Sequence, residues 1–258
     1  MGWPRCGRCG MAEPARVADV IDTAPAFTAA DVARLTARYA GVPTEAMLAD
    51  LLRGELQGRV ALVSSFGTES AVLLDLVAAA DRAIPLIFIN TQKMFGETLA
   101  YGDSLIEHFG FTDLRVFRPD PHQLAARDAK GMRWGYDPDG CCDLRKVEPL
   151  ARALAPFDAW ISGRKGFQSG RAGLPRFELD GTGGLGRLKI NPLADWDKPR
   201  INAHITAREL PRHPLEAAGY PSIGCQPCTS QVKPGEDPRA GRWRHWDKNE
   251  CGIHQPVF

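Results

Sequence analysis

The chain has 258 residues, of which 44% are hydrophobic and 24% charged, and its formal net charge is +1. Such a composition supports one large or two small packed domains, and a charge so near zero gives no broad basic surface for nucleic acid or membrane. No apolar run reaches the ~18 residues that span a bilayer, and the opening Met-Gly-Trp-Pro-Arg-Cys lacks the apolar core of a secretory signal, which points to the cytoplasm, where thiols stay reduced.

In chain order, residues 1–27 read as a poorly ordered terminal segment, and its Cys6 and Cys9 form an isolated Cys-x2-Cys to which no site is assigned. The stretch from Ala29 to Leu56 reads as two helices. An apolar strand follows at Val60–Ser64, then a helix from Glu69 to Ala80 and a strand from Ile84 to Asn90. Next come a helix from Glu97 to Phe109, a strand from Leu114 to Arg118, a helix from Leu144 to Ala155 and a strand from Asp158 to Ser162. Strands alternating with helices of this length give right-handed β-α-β crossovers, so the fold class is α/β, an open doubly wound parallel sheet. Ligands of such sheets bind beyond the carboxyl ends of the strands, which places residues 64–67, 90–93 and 162–165 around one crevice. Beyond Asn202, proline and glycine interrupt most periodicity, and something other than a core must pin the C-terminal segment.

The first of those loops, Ser64-Ser65-Phe66-Gly67-Thr68-Glu69, is a turn of small residues feeding a helix N-terminus. Backbone N–H groups converge there and suit a phosphate or sulfate. It has neither the Gly-Lys-Ser/Thr end of a Walker A loop nor the Gly-x-Gly-x-x-Gly dinucleotide fingerprint, and a turn that merely caps its helix has the same composition.

Five cysteines fall in an ordered pattern: Cys141-Cys142, Cys225-Gln-Pro-Cys228, and a single Cys251 within Asn-Glu-Cys-Gly-Ile-His254. Two pairs and a single supply four soft ligands and one free thiol, the inventory of a four-cysteine metal centre beside a nucleophile. Consecutive side chains diverge, so Cys141 and Cys142 suit the larger 4Fe-4S cube better than one zinc ion, and zinc is the second choice. Buried inert thiols are the plain alternative. Near Cys251, the residues Arg239, Arg242, Lys248 and His254 supply positive charge that lowers a thiol's pKa and neutralises an anionic substrate. A solvated charged face is the bland reading of the same residues.

Ser-Phe-Gly-Thr-Glu-Ser70 after a strand, Cys-Cys-Asp-Leu-Arg-Lys146, Asn191-Pro-Leu, Ile223-Gly-Cys-Gln-Pro-Cys-Thr229, Gly241-Arg-Trp and Glu-Cys251-Gly-Ile-His254 follow one another in the order seen in assimilatory adenylyl-sulfate reductases. Residues from about 55 to 258 resemble that family, whose fold is adenine nucleotide alpha hydrolase-like. The resemblance implies reduction of adenosine 5′-phosphosulfate to sulfite and AMP in sulfate assimilation and cysteine biosynthesis. It implies a 4Fe-4S cluster on Cys141, Cys142, Cys225 and Cys228, and electrons from thioredoxin or a glutaredoxin-like dithiol. It further implies catalytic roles for Cys251, Lys146 and His254, and substrate contacts from the Ser64–Glu69 loop, Thr91, Arg164, Arg171, Arg239 and Arg242. By the same resemblance, Lys146 bridges cluster and substrate, and Arg164, Lys165 and Arg171 belong to a mobile basic segment over the nucleotide. The domain division that follows is a terminal segment 1–27, a nucleotide-binding α/β domain 28–220, and a cysteine-bearing tail 221–258 packed on it; a homo-oligomer is compatible with it. Asn90-Thr91-Gln92 stands where relatives often show Asp-Thr-Gly, and Gly96 where proline is frequent.

The phosphosulfate anhydride offers an electrophilic sulfur and a good leaving group, so the Cys251 thiolate attacks directly and keeps a thiosulfonate. Three rivals stand beside this reading: a reductase of 3′-phosphoadenosine 5′-phosphosulfate, a zinc-containing RNA-modifying protein on a nucleotide fold, and a regulator whose cysteines sense iron or oxidants.

Overall fold

In the computed structural model, residues 26–168, 173–180 and 186–254 are described. Cys6, Cys9 and Arg171 lie outside these residues, as does most of the segment 1–27. Two helices open the described chain, α1 (Ala29–Arg38) and α2 (Thr44–Arg53), the first started by a capping box between Thr28 and Asp31. Then β1 (Val60–Ser64), α3 (Ser70–Ala80), β2 (Leu86–Ile89), α4 (Gly96–Phe109) and β3 (Leu114–Phe117) alternate as the periodicity predicts. Gly110 ends α4 in the left-handed conformation, φ 68°, which costs glycine nothing.

The next stretch departs from the expected single helix over residues 144–155. A short α5 (Pro121–Arg127) comes first, then α6 (Pro138–Cys142), a π-helical turn over Asp143–Val147, and α7 (Glu148–Leu154). Wide π turns re-aim side chains and occur most often at functional sites, and this one follows directly on the paired cysteines. After β4 (Ala159–Ile161), two strands that the sequence reading did not anticipate appear: β5 (Phe177–Asp180) and β6 (Arg187–Ile190). The chain continues through α8 (Lys198–Ala207), which was likewise unanticipated, and α9 (Pro214–Ala217).

The described strands form one six-stranded sheet in the order β3-β2-β1-β4-β6-β5. Every neighbouring pair is parallel except β5 and β6. Side chains alternate between its faces, as strand geometry requires. Val60, Leu62, Leu86, Phe88, Ala159, Ile161, Leu188 and Ile190 join the larger core with residues of α1, α2, α3, α4 and α8. Ala61, Ile87 and Trp160 join the smaller core, where Leu150, Ala153 and Leu154 of α7 cover them. Both faces are thus covered, which is why the central strands read as continuous apolar runs. At the centre of the sheet, β1 leads away to β2 on one side and β4 to β6 on the other, so the order reverses between β1 and β4.

Candidate active site

The loop leaving β1 is held by its aromatic residue. Phe66 takes φ +50°, an uncommon value for a bulky residue, and drives its ring into the core, 2% exposed and 4.9 Å from Phe88. A β-carbon on Gly102 would meet that ring at 2.7 Å, so only glycine at 102 leaves room for it. Phe66 accordingly belongs to the core and is absent from the cavity lining, while Ser64, Ser65, Gly67, Thr68 and Glu69 from the same loop line the cavity. The reason for this difference from the sequence expectation is steric: the ring is what anchors the turn. Thr68 Oγ1 donates to the Pro221 carbonyl at 2.9 Å, tying the loop to the segment that carries the second cysteine pair.

The loop after β2 braces that pair. Gln226 N donates to the Lys93 carbonyl at 2.7 Å, Met94 bridges to Cys225, and the Thr91 hydroxyl lies 3.2 Å from Cys225 Sγ. Thr91 is 1% exposed. It touches the cavity lining as expected, but its hydroxyl serves the cysteine. Arg145, on the π turn, donates to the Thr91 carbonyl at 3.0 Å and to Asp128 at 2.7 Å, so one buried guanidinium binds the turn after Cys142 to the loop beside Cys225.

The four cysteines consequently surround one small pocket, together with Trp134, Arg145, Lys146 and Trp243. Cys141, Cys142 and Cys225 are buried, and no described cysteine is in a disulfide. Burial pushes the thiols of Cys141, Cys142 and Cys228 up to about 11. At Cys225 burial acts the same way, but the Lys146 ammonium, the Thr91 hydroxyl and Arg242 together outweigh it and hold the thiol below its ordinary value. Burial opposes the charge on Lys146, while the sulfurs of Cys225, Cys251 and Cys142 outweigh it and keep the ammonium above its usual range. Among the described residues no three His, Cys, Asp or Glu groups converge at the spacing of a single metal ion. Trp243, 3% exposed with φ +47°, presents an indole N–H that has no hydrogen-bond partner among the described residues.

A cavity of about 370 Å³ opens on the other side of Lys146 and Trp243, which line both spaces. Beside the β1 loop it is lined by Arg164, Lys165, Lys198, Arg239, Arg242 and the C-terminal Cys251 and His254. The residues proposed from sequence thus converge, apart from Phe66 and from Arg171, which is not described. The loop after β4 is set by a chain of bonds: Ser162 Oγ donates to Asn191 at 2.5 Å, and Asn191 Nδ2 and Arg164 both donate to Glu178, at 2.9 and 2.5 Å. Glu178 stands on β5, so the unanticipated strand aims a cavity arginine. Within the tail Arg239 donates to the Asn249 carbonyl at 2.5 Å, and Lys248 ties the tail to Asp139 of α6. His254 stacks on Trp160 with centroids 5.8 Å apart and planes 2° from parallel. Lys198, Trp160 and Trp243 were absent from the sequence-based site; the Gly241-Arg-Trp motif was the one signal that pointed to Trp243.

An α/β sheet whose order reverses beside a crevice edged by basic side chains has the architecture of the adenine nucleotide alpha hydrolase-like class. Residues 59–231 match the family described as the phosphoadenosine phosphosulfate reductase domain, and the chain belongs to that family. It is 46% identical over 245 residues to the adenosine 5′-phosphosulfate reductase of Mesorhizobium japonicum, covering 95% of this chain and 94% of that one. It is 39% identical to the phosphoadenosine 5′-phosphosulfate reductase of Gloeobacter violaceus, over 85% and 92% of the two chains. The crystal structure of the phosphoadenylyl-sulfate reductase from Candida auris in a phosphate complex superposes with a TM-score of 0.67 at 25% identity, over 81% of this chain and 100% of the other. Yeast FAD synthetase with FAD, at 15% identity and a TM-score of 0.51 over 78% and 74%, shares the fold alone.

Proposed function

We propose that this chain reduces adenosine 5′-phosphosulfate to sulfite and AMP in sulfate assimilation. The observation that carries the reading is that Cys251, from the chain terminus, lines the same crevice as the β1 loop, with Lys146, Arg239 and Arg242 around it. The Cys251 thiolate attacks the sulfate sulfur, the S–O bond to the nucleotide breaks, and AMP departs with the electron pair, leaving an S-sulfocysteine. A thiol of thioredoxin or a similar dithiol then attacks Cys251 Sγ and releases sulfite. Its second thiol resolves the mixed disulfide, so two electrons pass from the dithiol and the Cys251 thiol is restored.

Lys146, Arg239 and Arg242 neutralise the phosphosulfate and hold it for in-line approach, Arg164 adds charge beside the nucleotide, and His254 positions the tail by stacking on Trp160. Ser64, Ser65, Gly67 and Thr68 turn backbone and hydroxyl donors toward the nucleotide. The residues 28–220 then act as the nucleotide-binding unit and 221–258 as the segment that brings Cys251 to it. The chemistry needs reduced thiols, which assigns it to the cytoplasm; no described helix is long and apolar enough to cross a membrane.

Cys141, Cys142, Cys225 and Cys228 would hold a 4Fe-4S cluster. The donor set is all thiolate, the four cysteines surround one small pocket, and Trp243, whose buried indole N–H has no partner among the described residues, lines that pocket too. When bound, the cluster supplies negative charge against Lys146 and takes no electrons from the reaction.

Incubating anaerobically purified protein with ³⁵S-labelled adenosine 5′-phosphosulfate is expected to trap label on Cys251, released by thioredoxin, and Cys251→Ser is expected to trap none. Equal trapping by Cys251→Ser would overturn the mechanism, and a colourless protein with stoichiometric zinc would overturn the cluster.

A further inference from the structure

We infer that Glu69 decides which nucleotide the cavity accepts: its carboxylate takes a hydrogen bond from a free ribose hydroxyl and turns away a 3′-phosphate. The inference rests on the nucleotide reading above. Ligands of doubly wound sheets lie where the strand order reverses, here between the ends of β1 and β4. Glu69 follows β1, Lys165 follows β4, and their ion pair at 3.1 Å spans that gap, while Lys198, the first residue of α8, closes on Glu69 at 2.6 Å. Glu69 is 8% and Lys165 5% exposed, and all three side chains line the cavity. Of the other cations lining the crevice, Arg164 pairs with Glu178, Arg239 with Glu250, and Lys146 lies close enough to Cys251 to feel its charge.

Burial opposes ionisation of Glu69, but Lys165 and Lys198 outweigh it and hold the carboxyl below its ordinary range, so it is an anion at neutral pH. An ionised carboxylate only accepts hydrogen bonds. It matches a hydroxyl donor and repels a phosphate dianion, so the discrimination comes from like charge set against the wrong ligand. Dinucleotide folds use an acidic side chain on a ribose hydroxyl in the same way. The two lysines add a second consequence. With the carboxylate neutralised, Lys198 loses the partner it closes on at 2.6 Å, and its ammonium favours the phosphate that Glu69 had excluded.

The test compares kcat/KM of the anaerobic holoprotein for adenosine 5′-phosphosulfate and its 3′-phosphorylated form, and calorimetric binding of AMP against adenosine 3′,5′-bisphosphate. Glu69→Gln is expected to shift both ratios at least ~10-fold toward the 3′-phosphorylated ligand, and adding Lys198→Ala to it is expected to remove most of the gain. Glu69→Asp, which keeps the charge, is expected to keep the preference and serves as the folding control. If Glu69→Gln weakens both ligands equally, Glu69 is only a brace between two loops and the inference falls. If the wild-type protein uses both nucleotides equally well, the inference falls while the reductase reading stands; if it binds and reduces neither, both fall.

Discussion

Gly224 precedes the first cysteine of the Cys225 pair, and a β-carbon there would lie 2.2 Å from an Arg242 guanidinium nitrogen. Gly224→Ala is therefore expected to swing Arg242 out of the crevice and raise KM for the nucleotide about tenfold, the scale of one charge-assisted hydrogen bond. Steady-state kinetics checks this, and an unchanged KM would show that Arg242 re-seats. Single residues were also where sequence reasoning met its limit. The grouping of the cysteines was legible because their spacing marks them as a set, and the four line one pocket, but Phe66 was not, since an aromatic in a polar loop reads the same whether it faces a cavity or the core. Trp243 escaped because its orphaned N–H depends on a left-handed backbone that no pattern announces.

Among the elements, the π turn after Cys142 depends on the Arg145–Asp128 pair, whose side chains are 5% and 1% exposed. Arg145→Met leaves a buried carboxylate with no counter-charge and only backbone N–H donors such as that of Arg133, and is expected to cost ~3 kcal/mol in urea unfolding, while the double change with Asp128→Asn is expected to recover most of it. A single-variant loss under ~1 kcal/mol would mean that water reaches the carboxylate. The strands β1 to β4 were visible because buried parallel strands are apolar throughout. Strands β5 and β6 were not, because Glu178, Asp180, Arg187 and Lys189 place charges on them. Those charges survive burial by pairing with one another across the strands, as Lys189 does with Glu178 at 3.6 Å. Hydropathy cannot see a partner, so a satisfied buried charge reads as surface.

For the whole molecule, His213 sets a pH limit. It is 1% exposed, hydrogen-bonded to Thr98 at 3.0 Å, edge-on to Tyr101, and burial pushes its imidazole down to about 4. The unfolded chain takes up this proton near pH 6.5 and the folded chain only near 4, so stability is complete above ~6.5 and falls between the two, by up to ~3 kcal/mol. Urea unfolding at pH 7 and 5 is expected to show this loss, and His213→Gln to flatten it; an identical slope in the variant would assign the loss to other groups. Lys146 and Trp243, finally, form a wall one residue thick between the cysteine pocket and the nucleotide crevice. Two ligands that share a wall obey reciprocity: by whatever factor a filled cysteine pocket tightens nucleotide binding, bound nucleotide must tighten the hold of the cysteines on their own ligand. Anything that stiffens Lys146 or Trp243 from one side is therefore felt on the other.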